Sequence, residues 1–184
     1  MIWFLILIID ISLDAFVLMM EKGATTLKVD IKTAIKHSVI FAIVESILFI
    51  LGNFIGRNIL DITILSINQY IATLAFMIIG MKILIMTNKK KVFEEKLNND
   101  LNIKESIKTA FIAGIDCFLV GAGCSSLNLS YLMQFLVVFF VTFAVICVAL
   151  YVGYYKGAAY QKLIGYLCAG SYFFLAIIFM LRLV

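Results

Sequence analysis

Four carboxylates sit where an ionised group is least welcome. Asp10 and Asp14 interrupt an apolar run at the start of the chain, Glu45 interrupts a second, and Asp116 interrupts one in the second half. An aspartate at the centre of a membrane helix costs about 2.5–3.5 kcal/mol on insertion scales, so four such groups cost on the order of 10 kcal/mol unless protonated, paired or bound to a cation. A set of oxygen ligands suits hard cations such as magnesium, calcium or manganese, and a metal that binds carboxylates displaces their protons. The plainer alternative is a set of protonated carboxyl groups bonded between helices. Lys82 is the one basic residue within the apolar runs, and is expected near the cytoplasmic end of its helix. Cys117 follows Asp116, but neighbouring helix residues point about 100° apart, so it reads as a small packing residue rather than a ligand. His37 reads as an interfacial residue at the rim of the second run.

The elements that must carry these groups follow from composition. Hydrophobic residues make up 64% of the 184, charged residues only 14%, and mean hydropathy is +1.11. A soluble domain carries about 25% charged residues, so lipid must solvate most of this chain. Six stretches of about 20 apolar residues, the length that crosses a bilayer core, are expected near 2–20, 36–56, 67–87, 107–127, 131–153 and 163–183. The first has no basic segment before it and is interrupted by Asp10 and Asp14, so it reads as a spanning helix rather than a signal peptide. At about 1.5 Å per residue, Asp14, Glu45 and Asp116 fall in one layer near the midplane. Asp10 lies one turn from Asp14, on the same helix face.

The lysines orient the spans. Lys22, Lys28, Lys32 and Lys36 flank the first connection. Lys89, Lys90, Lys91, Lys96, Lys104 and Lys108 flank the third, and Lys156 and Lys162 the fifth, which puts twelve of the fifteen basic residues on one side. Arg57 and Arg182 lie on the other. The positive-inside rule turns the twelve to the cytoplasm and both termini outward.

The two halves echo each other. ISLDAFV against AGIDCFL pairs Asp14 with Asp116. GNFIGR against ALYVGYYK pairs Gly56 with Gly153 and, upstream, Glu45 with Thr142; the third helices align from Tyr70 and Tyr166. Three helices is an odd number, so a repeat of three must be inverted in the membrane, a recurrent transporter plan with its site at the interface of the halves. The expected fold is an all-α membrane protein of six transmembrane helices in two inverted repeats, 1–87 and 107–184, joined by a polar cytoplasmic linker at 88–106. Glu94 and Glu95 in that linker read as solvated charge. Gly52 and Gly56, and Gly114, Gly121 and Gly123, supply the small residues that let membrane helices approach closely. Asn53, Thr142, Ser12 and Ser125 are candidate secondary oxygen ligands.

Several classes are disfavoured. No GxxxxGK loop is present, so ATP does not power this polypeptide through such a loop. The four cysteines, Cys117, Cys124, Cys147 and Cys168, all lie in apolar runs, which speaks against a disulfide scaffold. A membrane thiol relay needs paired cysteines in each half, and the first half has none.

SLDAFVLMMEKGA (12–24) resembles the first helix of the MntP-type manganese efflux pumps, part of a wider group of six-helix exporters related to the lysine exporters. The resemblance continues through IFAIVESILFILGNFIG (40–56), IGMKIL (79–84) and GIDCFLVGAG (114–123). It implies that Asp14, Glu45 and Asp116 are the functional acidic positions and Gly23 the family's loop glycine. This chain departs from the pattern in the bulky residues after Phe16, in Ile115-Asp116-Cys117 where Leu-Asp-Ala is usual, and in the extra carboxylate Asp10.

The resemblance therefore implies a secondary transporter rather than an enzyme, a multi-pass protein of the cytoplasmic membrane that exports manganese. Its partners are a divalent metal ion, protons and lipid, with no nucleic acid and no resident cofactor, manganese being cargo; self-association is left open. A divalent cation leaving a negative interior of 100 mV faces about 4.6 kcal/mol, which exchange for two protons removes by moving no net charge. Asp14, Glu45, Asp116 and Asp10 are the expected metal-site residues. Export of another cation or a basic amino acid, and a non-transporting structural role, are the alternatives.

Overall fold

In a computed structural model the described residues are 2–26, 29–60, 65–89, 103–123 and 130–180. They form six α-helices: α1 (Ile2–Thr25), α2 (Ile31–Leu60), α3 (Leu65–Lys89), α4 (Ile103–Gly123), α5 (Tyr131–Lys156) and α6 (Gln161–Met180), with a 3-10 turn at Gly157–Tyr160 before the last. No strand occurs among the described residues. Most of the polar linker, with Glu94 and Glu95, lies outside them, as do Cys124 and Ser125.

Without proline, helix ends are set by other means. Thr26 donates its hydroxyl to the Lys22 carbonyl at 2.6 Å, and Thr25 donates to the same carbonyl at 3.2 Å; these bonds serve carbonyls that the end of α1 leaves without helical partners. Gly157 ends α5 with φ +63°, its N–H donating to the Gly153 carbonyl, a left-handed position suited to glycine. The helices overrun the apolar stretches: α2 begins five residues before the expected 36, and α4 spans 103–123 where 107–127 was expected. Hydropathy marks the slab a helix crosses, whereas Lys32, Lys36 and Lys104 are good helix formers that continue the coil beyond it. Gly23 lies within α1 rather than in a loop.

The polarity of the bundle is inverted relative to a soluble protein. Asp10, Asp14, Glu45, Asn53, Asp116, Gln134 and Thr142 are buried, while Phe54, Leu132, Phe140, Phe174 and Ile177 are exposed. Apolar surface on this scale is stable against lipid and not against water. Among the described residues three helices are long and apolar enough to cross a membrane, Ile31–Asn58, Ile103–Gly123 and Tyr131–Lys156, and Phe76–Asn88 and Lys162–Ile178 form shorter apolar helices.

Helices pair across the halves. α1 lies chiefly on α5, α2 on α4 and α5, and α3 on α6, with smaller contacts of α1 with α6 and of α3 with α4. Two of these crossings bring backbone onto backbone. A Cβ on Gly52 would strike the Phe118 carbonyl oxygen, and one on Gly121 the Phe49 carbonyl oxygen, so α2 and α4 meet through reciprocal glycines. Gly23 and Gly153 do the same for α1 and α5, against Leu150 and Met20. The glycines of α2 and α4 therefore serve close packing, and α4 continues unbroken past Asp116.

Candidate metal site within the helix bundle

The close α2–α4 crossing and the α2–α5 contact fix the surroundings of Glu45, which is 1% exposed. Its Oε2 accepts a hydrogen bond from the Thr142 hydroxyl of α5 at 3.0 Å. Ser12 of α1 lies 3.4 Å from that hydroxyl and donates its own proton to the Ile8 carbonyl. The Cys117 thiol of α4 is a further neighbour of Glu45. The second oxygen, Oε1, is buried without a hydrogen-bond partner. A buried carboxylate oxygen left in this way is strongly disfavoured unless it has a proton or a cation to hold.

Asp14 and Asp116 both act electrostatically on Glu45. Three of the four expected ligands are thus electrostatic neighbours, contributed by α1, α2 and α4. Asp116, 3% exposed, accepts from the Lys82 ammonium of α3 through Oδ2 at 2.7 Å. Among the described residues, no three His, Cys, Asp or Glu side chains converge closely enough to hold a metal ion.

Asp10 has a different setting. Ser171 of α6 is its polar neighbour, though that hydroxyl donates to the Cys168 carbonyl at 2.7 Å, and the Asp10 Oδ2 has no partner. It acts on Cys168 and Tyr172, also of α6, and is not among the groups acting on Glu45. Asp14 acts on the same two α6 residues and on Glu45 as well, so of the two carboxylates of α1 it alone acts on both.

Of the candidate secondary ligands, Thr142 and Ser12 reach the site and Asn53 is buried close to the α2–α4 crossing. Cys117 is buried as a packing residue and in addition contacts Glu45. Cys117, Cys147 and Cys168 are free thiols. His37 is 1% exposed, covered by protein at the start of α2, with its Nδ1 unpartnered. Lys82, which the sequence offers as the one available counter-charge to the membrane carboxylates, has Asp116 as its partner; the sequence did not say which carboxylate it would meet.

A family model described as "Putative manganese efflux pump" matches residues 28–179. The match begins after α1, so Asp10 and Asp14 lie outside it. Two proteins described as "Putative manganese efflux pump MntP", from Yersinia pestis (strain Pestoides F) and Yersinia pseudotuberculosis serotype O:1b (strain IP 31758), are each 24% identical over 158 residues, covering 86% of this chain and 83% of theirs. No solved structure matches. With a family match across α2 to α6, the chain belongs to the manganese efflux pump family.

Proposed function

We propose that this protein exports manganese across the cytoplasmic membrane in exchange for protons, with Asp14, Glu45 and Asp116 as cargo ligands. The observation that carries the reading is Glu45: a carboxylate 1% exposed, with one oxygen unpartnered, flanked by two further carboxylates from other helices. Gathering them around an ion requires the three to converge further than they do here and Lys82 to release Asp116. Two protons carried inward for each ion exported leave no net charge movement. Asp10, beside Ser171 of α6, stands apart as a ligand for an ion passing along α1.

The inverted-repeat reading draws support from the packing. Exchanging α1 with α4, α2 with α5 and α3 with α6 leaves the pattern of main helix contacts unchanged. Such a two-fold relation brings equivalent residues together where its axis passes. Glu45 and Thr142, equivalent in the sequence repeat, are hydrogen-bonded. Phe76 and Tyr172, each six residues beyond the aligned Tyr70 and Tyr166, are in ring contact at 6.3 Å.

The test is growth of a manganese-sensitive strain lacking its own exporter, with and without this gene, across a panel of divalent metals. The gene is expected to restore resistance to manganese. Asp14→Ala and Asp116→Ala are each expected to abolish that resistance at matched membrane expression, and normal resistance in either would reject the site. A subtler result is expected for Thr142→Val, which keeps the shape but removes the donor to Glu45. Loss of one partner of a buried charged group costs about 1–3 kcal/mol. Half-saturating manganese in a vesicle transport assay is therefore expected to shift by about tenfold.

One observation favours a second reading, export of a basic amino acid: Asp116 already accepts an alkylammonium group, that of Lys82. Competition between lysine and manganese in the same vesicles separates the two.

A further inference from the structure

We infer that Lys82 is a tethered counter-cation that exchanges with the cargo ion, occupying Asp116 when the ion is elsewhere and withdrawing when it binds. The inference rests on the metal reading above and concerns how that site loads and empties.

Lys82 and Asp116 have unequal surroundings. The aspartate is 3% exposed and held in α4, whereas the lysine side chain is 37% exposed and reaches across from α3. α3 is packed chiefly on α6 and meets α4 only to a smaller extent, so the ammonium is the movable member of the pair. A lysine is a compact charge on a flexible four-carbon stem, and here the protein leaves more than a third of the side chain uncovered, so packing does not pin it.

The electrostatics favour exchange over coexistence. Asp116 neighbours Glu45, which also feels Asp14. An ammonium on Asp116 neutralises one of these three carboxylates. A divalent ion bound among them would be repelled at short range by that ammonium and would compete for the oxygen it holds. When the ion leaves, a buried Asp116 without its lysine would be an uncompensated charge. The tethered ammonium is always at hand to take the vacated oxygen, so it lowers resting affinity and speeds release. It keeps the site from becoming a metal trap.

Two substitutions separate this from a merely structural ion pair. Lys82→Gln removes the competitor, so half-saturating manganese in vesicle transport is expected to fall by about tenfold while the maximal rate also falls, because release slows. Lys82→Arg offers a planar fork that grips a carboxylate more firmly, and half-saturation is expected to rise. A structural pair predicts that both variants weaken binding; that result would overturn the inference.

The wild-type protein supplies an independent readout. In detergent, labelling of Lys82 by an amine-reactive reagent, followed by mass spectrometry, is expected to rise several-fold with manganese, while Lys104 labelling stays constant. In Asp116→Asn it is expected to be high and indifferent to manganese. Binding of manganese itself is measured separately by titration calorimetry on the wild type. Absence of binding rejects the metal reading; binding that leaves Lys82 reactivity unchanged rejects the exchange alone.

Discussion

Glu45→Gln is expected to abolish manganese efflux while leaving a folded protein in the membrane. Glutamine matches glutamate in shape, and its amide can still meet the Thr142 hydroxyl that contacts Oε2. It has no charge, however, and at the position of Oε1, which has no protein partner, it offers a neutral amide group in place of an anionic oxygen. Mutating the outer partners of metal ligands already costs about 10–100-fold, so loss of a ligand is expected to lower transport by at least about 100-fold. Folding does not suffer, because removing an ionisable group from a buried site relieves its desolvation. Uptake of manganese into inverted membrane vesicles at matched protein amount is the measurement. A variant running at half the wild-type rate would remove Glu45 from the ligand set.

The second large effect concerns the α2–α4 crossing. Gly121→Ala places a methyl against the Phe49 carbonyl, and Gly52→Ala places one against the Phe118 carbonyl. Backbone cannot rotate aside as a side chain can, so the helices must separate. Gly114 differs, because its added methyl would meet the end of the Leu48 side chain, and Gly170 has nothing within 4 Å of its would-be Cβ. Overpacking costs about 1–3 kcal/mol, which in a protein of this size lowers the melting temperature by about 3–10 °C. Melting of purified protein in detergent is expected to rank Gly170→Ala unchanged, Gly114→Ala mildly affected and Gly121→Ala most affected. Gly121→Leu is expected to yield no folded protein. The crossing also carries Glu45 and Asp116, so Gly121→Ala is expected to lose transport beyond what its stability loss explains.

These residues also show what a linear reading can reach. Asp14, Glu45 and Asp116 were legible because charge within an apolar run stands out whatever the fold, and because each falls near the middle of its helix. The glycines of α2 and α4 were legible as close-packing residues for a similar reason: in lipid, small side chains are kept where backbones meet. The repeat paired Glu45 with Thr142 by alignment alone, and the two are in contact. What escaped depends on how separate helices face one another. Periodicity says that Asp10 and Asp14 share a face of α1, but not that both act on Cys168 and Tyr172 of α6 while only Asp14 also acts on Glu45. Lys82 was legible as an available counter-charge, but nothing in the run 79–84 tells that α3 passes close enough to α4 for its ammonium to reach Asp116. Helix ends were misplaced where interfacial lysines prolong the coil, and Gly23 was taken for a loop residue because its role, contact with the α5 backbone at Leu150, belongs to a distant part of the chain.

The meeting of Glu45 with Thr142 carries an evolutionary corollary. On the inverted-repeat reading proposed above, two identical copies of a three-helix ancestor related by a two-fold axis would confront each residue at that spot with its own twin, and a glutamate would face a glutamate. Joining the copies into one polypeptide lifts that obligation: one twin can remain an acid while the other becomes the alcohol that steadies it. Lopsided chemistry at the heart of an even-handed scaffold is a liberty that a single gene has and a symmetric pair lacks.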